Sequence, residues 1–286
     1  MADPTVSVIC VCYNQARFVL EALQSVMRQS YPNVELLVVD DGSSDDSVAV
    51  IRAWLKDYPQ VKFFALQTNC GNCKAFNVAL AHAKGEFIID LAADDMLMPE
   101  RVAEGIKDLR LAGIEYGVHF TDALWINETG KELRLHSDRF PHETVPRGNV
   151  YKDLVSRFFI CSPTMMFKAS VIRSLGGYDE SLSYEDFDFW IRSSRVVKYC
   201  YSPKVLTKKR VVKNSMSQKQ FSFINSQLKS TFHVCEKILL LNRSAEEQRA
   251  LSKRILYEMR VCIRLFHFRL LWKYAGLLMR NSRGPY

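Results

Sequence analysis

The chain has 286 residues, 48% of them hydrophobic, so it is long enough to bury a core. It contains no run of eighteen uncharged apolar residues, and this argues against a membrane-spanning helix. The first residues, 1–4, include neither the basic nor the apolar segment of a secretory signal, and we therefore expect a cytoplasmic protein.

The positive charge is confined to the C-terminal quarter of the chain. From Met216 onward there are 13 Lys or Arg against 4 Asp or Glu, a net charge of +9, whereas the preceding 215 residues contain 26 against 27. Such a basic segment attracts anionic surfaces such as lipid headgroups or nucleic acid. The same charges are also typical of the solvated face of a helix.

Short apolar runs alternate with stretches of helical spacing over the first 115 residues. The apolar runs predict strands at 6–11, 34–39, 61–66 and 86–91. The helical spacing predicts helices at 18–29, 75–83 and 99–111, with a further helix ending near residue 58. This alternation is typical of βαβ units, so we expect an α/β fold with a mostly parallel, Rossmann-like central sheet flanked by helices.

The pattern changes after residue 115. A hairpin is predicted over 116–135, followed by a loop to 149, a strand at 164–168 and a helix at 185–195. From Phe221 to about Arg280 the sequence is helical in character, with a break near 242–244.

Three acidic clusters follow predicted strands or begin a predicted helix. They are Asp40–Asp41, Asp94–Asp95 and the run Glu185–Asp188. Ligands of parallel sheets bind at the carboxyl ends of the strands, where the first two clusters lie. Carboxylates crowded at one edge repel unless a cation or hydrogen-bond donors separate them, and a hard divalent ion suits that place. Taken singly, each cluster is also explained as a turn or helix cap.

The ordered set of motifs resembles the inverting family 2 glycosyltransferases of GT-A fold. The similarity covers about 5–217, and each motif alone is weak. The matching segments, in chain order, are Val6–Asn14, Val38–Asp45, Gly71–Asn77, Ala83–Ile88, Asp94–Asp95, Pro99, Gly176–Glu180 and Glu185–Trp190.

The resemblance implies a division of the chain. Residues 1–217 would form the GT-A catalytic domain, with a nucleotide-sugar-binding half over about 5–115 and an acceptor-binding half over 116–217. Residues 218–286 would form a basic α-helical extension. The implied reaction is the transfer of a hexosyl or N-acetylhexosaminyl group from a UDP-sugar, or alternatively a dTDP-sugar, to a glycan or lipid-linked acceptor, in surface polysaccharide biosynthesis.

The resemblance also implies residue roles on the donor side. Tyr13 would edge the nucleotide base, Asp41 would accept a base N–H, and Asp94 would approach the ribose. Asp95 would bind Mn²⁺ or Mg²⁺, which neutralises the diphosphate leaving group. The full set of nucleotide contacts implied is Val11, Tyr13, Asn14, Asp41, Lys74 and Asp94.

On the acceptor side, Asp186 would be the general base that removes the proton of the acceptor hydroxyl. Glu185 is the rival for that role, since adjacent carboxylates cannot be ranked without geometry. Gly176, Gly177 and Trp190 would lie near the acceptor.

The chain departs from the family pattern at several positions. Ala92 replaces the acidic residue usual two positions before Asp94, and Val212 stands where a histidine near the metal is expected. We therefore expect Arg210 or Lys213 to face the diphosphate as a fixed cation. Where the family often has an arginine near the nucleotide, this chain has Lys74 with Asn72, and lysine lacks the bidentate fork.

Other functions share some of these sequence features. A sugar-phosphate nucleotidyltransferase shares the sheet and the metal, but it normally opens with a glycine-rich loop, and residues 10–17 contain no glycine. Ala92 and Val212 favour a non-catalytic nucleotide-sugar-binding or partner-binding module. Nucleic acid is the least favoured partner.

Three roles remain open for the extension, whose apolar and basic residues alternate at helical spacing. It packs on the catalytic domain, it joins the subunits of a homo-oligomer, or residues 250–283 make peripheral contact with an anionic membrane.

Overall fold

The structure of the protein is a computed structural model that describes residues 3–213 and 226–282. The described residues do not include the predicted domain boundary at 217/218 or the predicted helix start at Phe221. They also do not include 214–217, where the family resemblance ends.

Within the described residues, one nine-stranded sheet forms the centre, in the order β3-β2-β1-β4-β8-β6-β9-β5, with β7 paired to β6. Its strands are β1 Val6–Cys12, β2 Val34–Asp40, β3 Lys62–Ala65, β4 Phe87–Ala92, β5 Met96–Leu97, β6 Tyr116–Ile126, β7 Glu132–Leu135, β8 Met166–Lys168 and β9 Lys198–Arg210. The half from β3 to β4 is parallel, whereas β8 joins β4 to β6 through antiparallel pairs. The sheet and its helices confirm the predicted α/β class.

The helices cover both faces of the sheet and continue beyond it. They are α1 Val19–Met27, α2 Ser47–Trp54, α3 Asn72–Leu80, α4 Arg101–Ala112, α5 Tyr151–Ser156, α6 Ala169–Ser174, α7 Asp186–Ser193, α8 Ser226–Leu241, α9 Ala245–Arg264 and α10 Phe268–Ser282. Among residues 3–213 and 226–282, no helix has both the length and the apolarity needed to cross a bilayer.

Strand β1 shows how the sequence divides the core into two layers. All seven of its residues are buried, because helices cover both faces of the sheet. Ile9 and Val11 point into the layer that includes α3 and α7, while Val8 and Cys10 point into the layer of α1, α2 and α4. Because successive side chains of β1 point to opposite faces, the strand lies between the two layers. The polar residues that follow β1 therefore begin at the edge of the sheet, between these layers.

The main differences from the sequence prediction lie after residue 150. The sequence pattern does not predict helices α5 and α6, nor β9, a strand of 13 residues whose side chains include five Lys or Arg. Strand β9 forms because it pairs in parallel with β6 along ten positions, a non-local contact that overrides its polar composition. The described part of the predicted extension, 226–282, is helical, with a second break at residues 265–267.

Helices α9 and α10 pack against helices α5 and α7. Leu251, Ile255 and Tyr274 are fully buried in the same apolar cluster as Phe187 of α7 and Tyr151 of α5. A polar contact reinforces this packing at its edge. The Arg195 guanidinium donates to both carboxylate oxygens of Glu247, at 2.8 and 2.6 Å, and also to the Leu241 carbonyl.

We expect Glu247→Ala to destabilise the protein by about 2–4 kcal/mol, because it leaves the largely buried Arg195 guanidinium without its bidentate partner. The measurement is urea unfolding followed by circular dichroism. Glu246→Ala is the matched control, since its ion pair with Lys152 is exposed and should contribute nothing measurable. Equal midpoints for the two variants would contradict this role of Glu247.

Candidate active site

The carboxyl ends of β1, β2 and β4 meet at one edge of the sheet. The parallel register pairs Cys12 with Asp40 and Val11 with Ala92, so the loops that follow the three strands begin at the same level. The side chain of Val11 is almost buried, and its carbonyl accepts the backbone N–H of Ala93. This edge therefore brings the residues after all three strands together.

Asp41 ties the loop after β2 to the start of α3. Its carboxylate accepts the backbone N–H groups of Cys70 at 2.8 Å and Gly71 at 2.9 Å, and the Cys70 thiol at 3.1 Å. The loop after β2 can lie this close to the Thr68 backbone because Gly42 has no side chain. A Cβ at Gly42, whose φ is +68°, would lie only 2.4 Å from a Thr68 backbone atom. The Oδ1 oxygen of Asp41 accepts two of these bonds and Oδ2 accepts one, so Oδ2 keeps a further lone pair for a ligand.

Asn14 organises the loop after β1. It adopts a φ of +53°, a left-handed conformation that asparagine tolerates, and its side-chain oxygen accepts the backbone N–H of Ser44 at 2.8 Å. The adjacent Tyr13 is 45% exposed and stands at the same edge as Asp41. Lys74, on the first turn of α3, is exposed, and its charge acts on Cys70 beside Asp41.

Asp94 and Asp95 follow β4 at the same edge. Burial raises the pKa of Asp94, and burial together with the Asp94 charge raises the pKa of Asp95 to about 8. The backbone N–H of Arg210 donates to the Asp95 carboxylate at 2.7 Å, and its side chain donates to the Asp94 carbonyl at 3.0 Å. The end of β9 thus holds this acidic pair in place.

The side chain of Arg210 differs from its predicted role as a diphosphate-facing cation. Arg210 is only 4% exposed, and its guanidinium donates to Glu21 and to the carbonyls of Asn127 and Glu128. With these acceptors it fixes the loop after β4, and most of its N–H groups are engaged within the protein. Lys213 is exposed and is held through its backbone N–H by Glu128.

Lys209, the neighbour of Arg210 on β9, interacts electrostatically with carboxylates of both acidic clusters. The charges of Asp95, Asp186 and Asp94 all act on its ammonium group and raise its pKa against the effect of burial. Its Nζ lies 5.2 Å from the ring centroid of Trp125. Sequence reasoning did not select this residue, because only the strand alternation of β9 decides that Lys209 rather than Arg210 points inward.

The second acidic cluster begins α7. Glu185 is 8% exposed, and its carboxylate accepts a hydrogen bond from the Asn72 amide at 2.8 Å and lies 3.7 Å from the Cys73 thiol. Asp186 is more exposed, and the nearby Ser162 side chain lowers its pKa against the effect of burial. Burial raises the pKa of both carboxyls, and the Asp186 charge helps to raise that of Glu185 to about 8. Glu185 is therefore engaged with α3, whereas Asp186 is the more accessible of the two.

Asp90 is a third carboxyl beside this pair, and sequence reasoning missed it. It lies on β4 two residues before Ala92, so both side chains leave the same face of the strand. Burial and the Asp186 charge raise the pKa of Asp90 to about 7, and the Tyr178 hydroxyl donates to it at 3.0 Å. A carboxylate inside an otherwise apolar strand was the signal available in the sequence.

Gly176 and Gly177 position Tyr178 for this contact. Both have positive φ angles, and their backbone N–H groups bond back to the last turn of α6. A Cβ on Gly177 would lie 2.6 Å from the side-chain oxygen of Asn77, which accepts the Tyr178 backbone N–H. The glycine pair therefore ends a helix and seats the loop on α3.

The expected acceptor-side role of Trp190 is wrong. Trp190 is 1% exposed, and its indole N–H lies 3.0 Å from the sulfur of Met165. Its ring packs against Phe158 in the apolar core. An acceptor cannot reach this side chain, because aromatic residues of α7 pack inward when α7 covers the sheet.

The edge of the sheet that Asp94 and Asp95 occupy, here called the acidic edge, fits a divalent ion that also binds oxygen atoms of a ligand. Within residues 3–213 and 226–282, no group of three His, Cys, Asp or Glu side chains is arranged to hold a metal alone. Asp95 supplies a buried carboxylate and Asp94 a half-buried one, and desolvation raises the pKa of both. One or two carboxylates plus phosphate oxygens and water are a common oxygen ligand set for Mg²⁺.

The fold is that of the GT-A transferases. TarS of S. aureus in complex with UDP-GlcNAc superposes with a TM-score of 0.67 at 17% identity, covering 99% of this chain and 93% of TarS. A mannosyltransferase of Pyrobaculum calidifontis, in complex with GDP-Man and Mn²⁺, gives a TM-score of 0.65 at 20% identity, covering 100% and 77%. At these identities the likeness establishes the shared fold.

The sequence defines the family more narrowly. The profile of glycosyl transferase family 2 matches residues 7–175, more than half of the chain, and the protein belongs to this family. An uncharacterised glycosyltransferase of Rickettsia typhi is 28% identical over 212 residues, which cover 73% of this chain and 64% of the relative. The chain thus spans less than two thirds of that relative's length.

The raised pKa of Asp90 predicts a pH-dependent effect of Asp90→Asn on stability. A carboxyl whose pKa is raised by folding costs stability once the pH exceeds its unfolded value. The amide introduced by the substitution keeps an acceptor for Tyr178 but carries no charge. We therefore expect the variant's unfolding free energy to exceed that of the parent by a margin that is absent below pH 4 and grows by about 2 kcal/mol between pH 5.5 and 8.

Urea unfolding at several pH values measures this margin. Asp57→Asn, on the surface after α2, is the control and should show no pH-dependent gain. A margin for Asp90→Asn that is constant with pH would show that its carboxyl is not held in a charged, desolvated cluster.

Proposed function

We propose that the protein transfers a sugar from a nucleoside diphosphate sugar to a glycan or lipid-linked acceptor, with inversion at the anomeric carbon. The observation that carries the proposal is that Asp94 and Asp95, after β4, and Asp186, at the start of α7, all act electrostatically on the ammonium group of Lys209. A diphosphate bound at this edge would lie beside fixed positive charge, and a hydroxyl near Asp186 would lie beside a base.

The donor side favours a uracil nucleotide, with dTDP as the alternative. Asp41 is a carboxylate held rigidly by two backbone N–H groups, and the remaining lone pair of its Oδ2 oxygen suits the ring N–H that uracil and thymine share. Tyr13 and Asn14 border the same loop, and Lys74 would add a positive charge near the phosphates. The neighbour in complex with UDP-GlcNAc supports this choice, whereas the one with GDP-Man keeps the nucleotide open to test.

Asp95, with Asp94 beside it, would hold a Mn²⁺ or Mg²⁺ ion together with the donor's diphosphate. Such an ion neutralises charge that develops on the leaving group. The chain itself contributes Lys209, whose ammonium group would offset part of the same charge. Ala92 leaves the family's third acidic position empty, which raises the importance of this lysine.

Asp186 is the group that we assign as general base. A base must reach the acceptor hydroxyl, and Asp186 is the more exposed of the two adjacent carboxylates. Glu185 is bonded to Asn72 and lies against Cys73, so it would position the start of α7 instead. Burial raises the pKa of Asp186, which brings its proton affinity nearer to neutral pH.

The family and the acceptor-facing acidic cluster support a place in surface polysaccharide assembly at the inner face of the membrane. The transferred group would be a hexosyl or N-acetylhexosaminyl residue. A non-catalytic nucleotide-sugar-binding module remains the second candidate, favoured by Ala92 and Val212. Binding without turnover separates it from an enzyme.

A panel of UDP-, dTDP- and GDP-sugars, with and without Mn²⁺ or Mg²⁺, tests the function through nucleotide release and calorimetric binding. We expect release with a UDP-sugar that depends on the ion. Asp95→Ala should remove the dependence together with the activity, because it deletes the proposed metal ligand.

The base assignment is tested in the same assay. Asp186→Asn should bind the donor as tightly as the parent but lose about 10²–10⁴-fold in transfer, as expected when a general base is removed. Glu185→Gln, the neighbouring isosteric change, should lose less. Normal transfer by Asp186→Asn would show that another group takes the proton, and donor binding by all variants without any turnover would favour the binding module.

Lys209→Met should lower kcat by about 10²-fold with a smaller change in KM, because the lost charge acts most strongly on the developing leaving group. Lys208→Met is the matched control, since alternation directs this side chain to the other face of β9. Equal effects of the two substitutions would contradict the role given to Lys209.

A further inference from the structure

The turn between α9 and α10 exposes large apolar side chains. Ile263, Phe266, Phe268 and Trp272 are 54%, 67%, 56% and 78% exposed, and the rings of Phe266 and Phe268 lie 6.3 Å apart. Most large apolar side chains of the described chain are buried, and exposed ones that gather in one place commonly mark an interaction surface. These four define, with Arg264 and Arg269, what we call the hairpin tip.

The charges around the hairpin tip have a single sign. Between residues 249 and 282 the sequence contains eight Lys or Arg and only one acidic residue, Glu258. Glu258 is 5% exposed and forms an ion pair with the buried Arg254, so it offers no charge to the surface. The other seven basic side chains face outward, and of these Arg280, at the far end of α10, pairs with Glu236 of α8. The outer surface of the hairpin therefore combines aromatic side chains with an excess of positive charge.

The helical hairpin formed by α9 and α10 is held in one orientation by its inward-facing apolar side chains. Ile255, Cys262, Tyr274 and Leu277 are fully buried in the core that α9 and α10 share with the catalytic part of the chain. The hairpin tip is consequently the part that packing leaves exposed to solvent. Its side chains are accessible while α9 and α10 stay packed on the core. None of the acidic-edge residues belongs to it.

We propose that the hairpin tip docks the protein on an anionic lipid bilayer. Aromatic side chains at the level of the headgroups and surrounding Arg or Lys are the combination that holds amphipathic helices at a negatively charged interface. A second copy of the chain is a poorer occupant, since a two-fold contact would oppose two surfaces of the same charge. A nucleic acid would satisfy the charges but would leave Ile263 and the aromatic rings against phosphates.

Sedimentation of the full chain with vesicles tests the proposal independently of sugar transfer. The probes are phosphatidylcholine vesicles with and without one third phosphatidylglycerol. We expect binding to the anionic vesicles only, weakened by added salt because headgroup attraction is screened. Trp272 should also shift its fluorescence to the blue on binding, and Trp272→Phe should abolish the shift.

Two sets of variants separate charge from aromatic insertion. Arg264→Glu combined with Arg269→Glu should weaken binding at least about 20-fold, since one basic residue near such a surface accounts for roughly fivefold. Trp272→Ser should weaken binding at low and at high salt alike, because burial of the ring does not depend on screening. Arg52→Glu combined with Lys56→Glu, the same charge change at α2, should bind as the parent does.

Several outcomes would overturn the proposal. They are the absence of binding to anionic vesicles, equal binding to neutral ones, or an equal loss in the α2 control. A dimer that Trp272→Ser dissociates, found by sedimentation equilibrium without any vesicle binding, would assign the hairpin tip to a second copy instead. Thermal unfolding of each variant verifies that these exposed substitutions leave the fold intact.

Discussion

The repulsion among buried carboxylates is the constraint on which the active-site account depends. Asp94 with Asp95, and Asp90 with Glu185 and Asp186, form two acidic groups. Burial raises the pKa of all five carboxyls, and neighbouring carboxylate charge adds to the rise at Asp90, Asp95 and Glu185. A site that served stability alone would pair or remove such groups, since desolvated charge is costly. Lys209 offsets part of this charge, and a cation-bound diphosphate would offset the rest.

The fold supplies the constraint by bringing together loops that are remote in sequence. Parallel strands end at one level, so the loops after β1, β2 and β4 share an edge. The start of α3 then connects the loop after β2 with the start of α7, because the Gly71 backbone donates to Asp41 while the Asn72 side chain donates to Glu185. Strand β9 completes the site from the opposite side by holding Asp95 through the backbone of Arg210.

Local patterns are sufficient for the parallel half of the sheet and for the acidic clusters, because each strand there is an apolar run that ends in polar residues. They are insufficient where long-range pairing decides. Strand β9 is rich in lysine and exists through its pairing with β6, and its alternation turns Lys209 inward and buries Arg210. The role expected for Trp190 fails because a helix-start motif does not reveal which face of α7 packs on the core. Asp90 is legible as a charge inside an apolar strand, but its partners Tyr178 and Asp186 come from distant segments.

Proton release on ligand binding measures the central claim most directly. Calorimetric titration of UDP with Mn²⁺ into the protein near pH 7, in buffers of different ionisation enthalpy, counts the protons exchanged. If Asp95 holds a proton because its pKa is raised to about 8, cation binding must displace it, and Asp95→Asn must reduce the release. Binding without any proton exchange, or with the same exchange in Asp95→Asn, would contradict the account.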